Sequence, residues 1–82
     1  MKNVRFSDNA IKDLRKLDQT SAKRILLKID DFSKNPSQFE IKKLKSSDDL
    51  YRIRVGSFRI IFEYFDKDIV ILKVGHRKDI YK

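Results

Sequence analysis

The chain has 82 residues, with 20 Lys and Arg against 12 Asp and Glu for a formal net charge of +8, a balance that favours nucleic acid, an anionic surface or an acidic protein as partner. Its hydrophobic share of 40% suits one modest core and leaves no material for a second, so residues 1–82 are expected to form a single domain. Disulfides and a Cys-based metal site are excluded by the absence of Cys, and one His argues against zinc; with no apolar run of signal-peptide or membrane-spanning length, no cofactor, no metal and no membrane contact are expected, and the location is read as cytoplasmic.

Residues 2–6 alternate polar and apolar, as in a short half-buried strand. Ser7 can cap a helix over about Asp8–Leu17, with Ala10, Ile11, Leu14 and Leu17 on one face. The polar break Asp18–Ser21 supplies a new cap, and Ala22, Ile25, Leu26, Ile29 and Phe32 form the next stripe until Asn35-Pro36 ends it. So short a connection makes the two helices an antiparallel hairpin. Phe39 and Ile41 begin a strand or a lead-in, and 42–49 is a charged connection. Tyr51, Ile53 and Val55 then alternate with Arg52 and Arg54, Gly56-Ser57 is a two-residue hairpin signal, Phe58–Phe65 is rich in β formers, Asp66–Asp68 is a second turn, and Ile69–Gly75 is a last strand. The order is β-α-α-β-β-β, an α+β fold with the helical hairpin on one face of a small, mainly antiparallel twisted sheet.

Register arithmetic sharpens this outline. A two-residue turn at Gly56-Ser57 sets Val55 opposite Phe58 and Arg54 opposite Arg59, with Arg52 on the same face. Like charges directly opposite cost roughly 0.2–1 kcal/mol, a penalty that a bound polyanion would remove. A three-residue loop at 66–68 would set Phe65 opposite Ile69 and Arg59 beside Gly75, gather Phe58, Ile60, Phe62, Tyr64, Val70, Leu72 and Val74 under the helices, and bring Lys73 and Arg77 to the arginine face. A loop one residue shorter would turn every side chain of the last strand over. Ile61, Phe65, Ile69 and Ile71 would make the far half of the arginine face apolar, as at an interface or under cover from the chain itself. The plain alternative for the arginines is solvation of an exposed sheet face.

The run Tyr51-Arg52-Ile53-Arg54-Val55-Gly56-Ser57-Phe58-Arg59-Ile60 and the ending Val74-Gly75-His76-Arg77-Lys78-Asp79-Ile80-Tyr81, with the Lys43-Leu44 approach, resemble the RelE branch of the RelE/ParE toxins over essentially the whole chain. That resemblance implies a RelE-like fold and the toxin of a type II toxin-antitoxin system. Such a toxin is an endoribonuclease that cleaves mRNA, in many members on the ribosome, and is silenced by an acidic, partly disordered antitoxin. It also implies that Arg52, Arg54, Arg59, Arg77 and Tyr81 form the site. With His76, which titrates near neutrality, the candidate catalytic set is Arg59, Arg77, Tyr81 and His76, and the candidate RNA-binding set is Arg52, Arg54, Lys73 and Lys78.

Metal-free RNA cleavage requires a deprotonated 2′-hydroxyl, a stabilised phosphate and a protonated leaving oxygen. Guanidinium groups suit the second task, which falls to Arg59 and Arg77. Arginine cannot act as a base, and Arg52 and Arg54 stand where some family members carry lysines, so Tyr81 becomes the preferred acid or base, its phenol lowered toward a useful range by neighbouring arginines. Strand parity points His76 to the helix side, opposite Phe58, unless the strand bends at Gly75; structural and proton-transfer roles are both open to it. Glu63 is four residues from Arg59, roughly 13 Å along a strand, and is set aside. Lysines 12, 16, 23, 28 and 34, with Arg15 and Arg24, either solvate the outer helix faces or grip ribosomal RNA backbone. Two other functions fit the same residues: a ParE-like toxin that inhibits DNA gyrase by binding, and a passive RNA-binding module.

Overall fold

A computed structural model of the chain describes residues 3–44, 50–64 and 67–76. Strand β1 (Asn3–Phe6) leads to Ser7, whose extended backbone (φ −69, ψ 163) and hydroxyl, accepting from the Ala10 N–H at 3.1 Å, start helix α1 (Asp8–Lys16). Asp18 caps helix α2 (Gln19–Lys34) through a 3.1 Å bond from the Ser21 N–H. The cap lies at the front of the polar break, so Gln19, Thr20 and Ser21 form the first turn of α2, ahead of its apolar stripe. After α2 comes a 3-10 turn, Pro36–Gln38, with proline at its first position, where the missing N–H costs nothing.

The remaining elements are strands β2 (Lys42–Lys43), β3 (Leu50–Val55), β4 (Phe58–Tyr64) and β5 (Asp68–His76). They form one sheet in the order β1-β5-β4-β3-β2, antiparallel throughout except that β1 runs parallel to β5. The α+β fold with a helical hairpin on one sheet face is as the sequence implies; β2 is a fifth strand inside the charged connection. Gly56 adopts φ +60 and no other described residue has a positive φ, the signature of a type II′ turn with glycine first. A side chain at Gly56 would also press on the Arg24 guanidinium, whose Nη2 lies 3.3 Å from the position of a Cβ.

One core joins Ala10, Ile25, Ile29 and Phe32 to Ile53, Val55, Ile60, Phe62, Ile69, Ile71 and Val74. Phe32 is its hub. Its ring meets Phe62, Phe39 and Tyr64 edge-on at centroid distances of 5.0, 5.4 and 6.4 Å, a favoured arrangement of ring quadrupoles.

The last strand departs from the register expected of it. Near the β3 end of β4 the pairs are Phe58–His76, Arg59–Gly75, Ile60–Val74 and Ile61–Lys73, as the arithmetic requires. Phe62 then pairs with Ile71 and Tyr64 with Ile69, across a register shift between Ile61 and Phe62. Leu72 is the extra residue of a β-bulge, and such a residue reverses the facing of everything beyond it. Ile69 and Ile71 are therefore fully buried under the helices, while Val70 and Leu72, expected there, are only half-buried. The apolar half of the arginine face accordingly loses Ile69 and Ile71. Its fourth expected member, Phe65, lies outside the described residues.

Candidate nucleic-acid interface

Two rows of side chains cross the sheet face turned away from the helices. One runs Lys42–Arg52–Ile61–Lys73 over β2, β3, β4 and β5. The other, two residues or about 7 Å away along the strands, runs Arg54–Arg59–Gly75. Each row contains a directly opposed cationic pair, Lys42 with Arg52 and Arg54 with Arg59, and both pairs are electrostatically unfavourable in isolation. Lys42 was missed in the sequence because two residues are too few for a visible strand; its only trace is the Ile41–Lys42 switch before Lys43.

Exposure along the rows is uneven. Lys42, Arg54 and Lys73 are exposed and Arg59 is half-buried, its Nε out of contact with solvent. Arg52 is only 5% exposed and Ile61 only 8%. Arg52 is thus not the solvated sheet charge that simple alternation suggests. It stands on an interior strand, flanked by Lys42 and Ile61, and burying a guanidinium this far is costly unless an anion meets it. Glu63 lies one row further on, between Leu50 and Val70, away from Arg59 as expected.

His76 takes the opposite side of the sheet. It pairs with Phe58, and the two rings stack with centroids 4.5 Å apart and a tilt of 35°. This follows from parity, since Phe58 packs against the core beside Val55. His76 is exposed and forms part of the wall of a cavity between α1 and β5. Arg77, Lys78 and Tyr81 lie outside the described residues.

The position of Lys73, Gly75 and His76 is fixed by α1. The Ser7 N–H donates to the Ile71 carbonyl at 2.9 Å, the Ser7 hydroxyl to the Leu72 carbonyl at 3.1 Å, and the Val74 N–H to Asp13 Oδ2 at 3.0 Å. These bonds bracket the bulge, satisfying backbone groups that β1 no longer reaches. Nothing in the sequence around Asp13 marked it for this task. Among the described residues no three His, Asp or Glu side chains gather as metal ligands, and no helix is long and apolar enough to cross a membrane.

Comparison with known proteins places this geometry. A family model described as ParE toxin of type II toxin-antitoxin system, parDE, matches residues 4–81. A protein of Methanocaldococcus jannaschii named toxin RelE3 is 39% identical over 95% of this chain and 93% of its own length. The mRNA interferase toxin RelE of Escherichia coli is 29% identical over 89% of this chain and 80% of its own. The RelB-RelE antitoxin-toxin complex from Methanococcus jannaschii contains a chain that superimposes with a TM-score of 0.77 at 35% identity, covering 95% of each. With a family match across almost its whole length, a RelE relative at 39% identity and a fold that superimposes on a chain of a RelB-RelE complex, this chain belongs to the RelE/ParE family of type II toxin-antitoxin toxins.

Proposed function

We propose that this toxin is an endoribonuclease that cleaves mRNA on the ribosome by attack of a ribose 2′-hydroxyl on the adjacent phosphate, and that an acidic antitoxin silences it. The observation that carries the proposal is the Arg54–Arg59 pair, set side by side with no side chain at Gly75 to close the row. Such a pair is poor for stability and well suited to the dianionic phosphate that develops as the 2′-oxygen attacks. The Escherichia coli relative, named an mRNA interferase, supports the same reading.

In this scheme Arg59, half-enclosed by the sheet, stabilises the transition-state phosphate together with Arg77. Arg52, Arg54, Lys73 and Lys78 hold the RNA backbone, and Tyr81 serves as proton donor or acceptor. His76, with its ring against Phe58 on the other side of the sheet, is a supporting residue in this scheme, not the base. Relatives captured as antitoxin-toxin complexes support a partner for this chain too, and its charge of +8 gives an acidic segment a strong attraction. A target on the ribosome makes the cytoplasm the proposed place of action.

The test is to add purified protein to a translation reaction and, separately, to a gyrase supercoiling reaction. Messenger RNA fragments ending in 2′,3′-cyclic phosphate are expected, with Arg59→Ala slower by about 100–1,000-fold and Tyr81→Phe also impaired. Inhibition of supercoiling without RNA cleavage would instead establish a ParE-like binding toxin, the second reading that the family description favours.

A further inference from the structure

Past Ile71, the last residue paired with β1, the edge of β5 runs beside α1 and encloses a cavity of about 490 Å3. That volume is in the range of small-ligand sites. Lys12 and Lys16, one helical turn apart on α1, line it opposite Lys73, Gly75 and His76 of β5. Like charges at this helical spacing repel, yet none of these lysines forms an ion pair among the described residues. Asp13, the carboxylate in the same wall, is occupied by the Val74 N–H. Because backbone direction alternates along a strand, His76 turns its N–H to the same outer edge as Val74.

Two features join this cavity to the arginine rows. Lys73 belongs to both, as a member of the row through Arg52 and Ile61 and as part of the cavity wall. Gly75, next to Arg59 on β5, also borders the cavity and presents no side chain between the two. A chain of phosphates lying along Arg54 and Arg59 can therefore continue over Gly75 and down to α1.

We infer that the cavity is a second phosphate subsite for the RNA strand, in which Lys12, Lys16 and Lys73 hold a phosphodiester flanking the one at Arg54 and Arg59. The identity of the strand rests on the RNA-cutting reading; the anion preference rests on the cavity alone. The test uses 2′-O-methyl oligonucleotides, which bind but cannot be cut, so a wild type that cleaves nothing would sink the nuclease reading and still allow this measurement.

Affinities of an octanucleotide and a dinucleotide are followed against salt for wild type, Lys12→Ala/Lys16→Ala, Lys12→Arg/Lys16→Arg and a control on α2, Lys23→Ala/Lys28→Ala. Each phosphate contact on single strands contributes about 0.7 to the logarithmic salt slope. The alanine pair should make the octanucleotide slope shallower by about 0.7, leave dinucleotide binding unchanged, and be rescued by the arginine pair, while the α2 control retains the wild-type slope. Equal losses for both oligonucleotides, or an equal loss in the α2 control, would overturn the subsite in favour of a general field effect. An oligoglutamate peptide that binds wild type more tightly than the octanucleotide, and loses that affinity in the alanine pair, would assign the cavity to an acidic protein segment and overturn it equally.

Discussion

Arg54→Glu separates a functional arginine pair from a solvated one. Arg54 is exposed and faces the half-buried Arg59 directly across β3 and β4. Removing a like-charge pair recovers about 0.2–1 kcal/mol, and creating an opposite-charge pair adds a similar amount, so the substitution should stabilise the fold by about 0.4–2 kcal/mol. With a urea m-value near ~1.3 kcal/mol/M for so small a domain, the unfolding midpoint rises by about 0.3–1.5 M. Arg54→Gln, which only removes repulsion, should fall halfway. The gain must shrink in high salt, where the screening length drops to about 3 Å at 1 M. In the same variant RNA binding and cleavage should fall by at least ~10-fold, which corresponds to about 1.4 kcal/mol of lost phosphate stabilisation. A variant that is less stable than wild type in low salt, or that cuts RNA at the wild-type rate, would refute the claim that this pair is retained for a polyanion.

Other outcomes follow from the fold. Phe32→Ala removes the ring that contacts Phe39, Phe62 and Tyr64 and should cost about 3–5 kcal/mol, leaving a protein of this size largely unfolded by circular dichroism while Phe32→Leu retains a cooperative melt. Ser7→Ala loses the α1 cap and the bond to the Leu72 carbonyl, about 1–3 kcal/mol together; thermal melts should show Ser7→Thr close to wild type and Ser7→Ala well below it. The Asp18 carboxyl is held below its ordinary value of 3.8, first by its side-chain hydrogen bond with Ser21 and then by the Ser21 backbone N–H. A lowered folded-state value gives stability that is present above 3.8 and lost as pH falls through the folded value, so acid-titrated melts of Asp18→Asn should lack that loss while preserving the cap.

Much of the architecture could be read from local chemistry because each signal there has one solution. Ser7 and Asp18 are caps followed by apolar stripes, and both open helices. Gly56-Ser57 permits one tight turn, and that turn alone dictates the Arg54–Arg59 pair. The strand Lys42–Lys43 was not legible, since two charged residues carry no alternation and owe their pairing to the neighbouring Tyr51 and Arg52. The burial of Arg52 was hidden for a related reason: alternation assigns a side chain to a face and says nothing of what its neighbours on that face cover.

The β5 bulge shows why part of the site was read correctly from an incorrect strand. A straight β5 closed by a loop at 66–68 places Arg59 beside Gly75 and Ile61 beside Lys73, and those pairs are present. In the folded chain Tyr64 instead pairs with Ile69, which alone would displace every later pair by one residue, and the extra residue at Leu72 restores the alignment. Ile69 through Leu72 are all aliphatic, so either facing supplies an apolar side to the core and hydrophobic pattern cannot choose between them. Contacts distant in sequence make the choice: the Ser7 bonds to Ile71 and Leu72, and the Asp13 bond to Val74. A strand that must point Ile69, Ile71 and Val74 inward cannot keep a strict period of two. The bulge resolves that conflict between Ile71 and Val74, and so delivers Lys73 and Gly75 to the arginine rows while the core at the turn end stays filled.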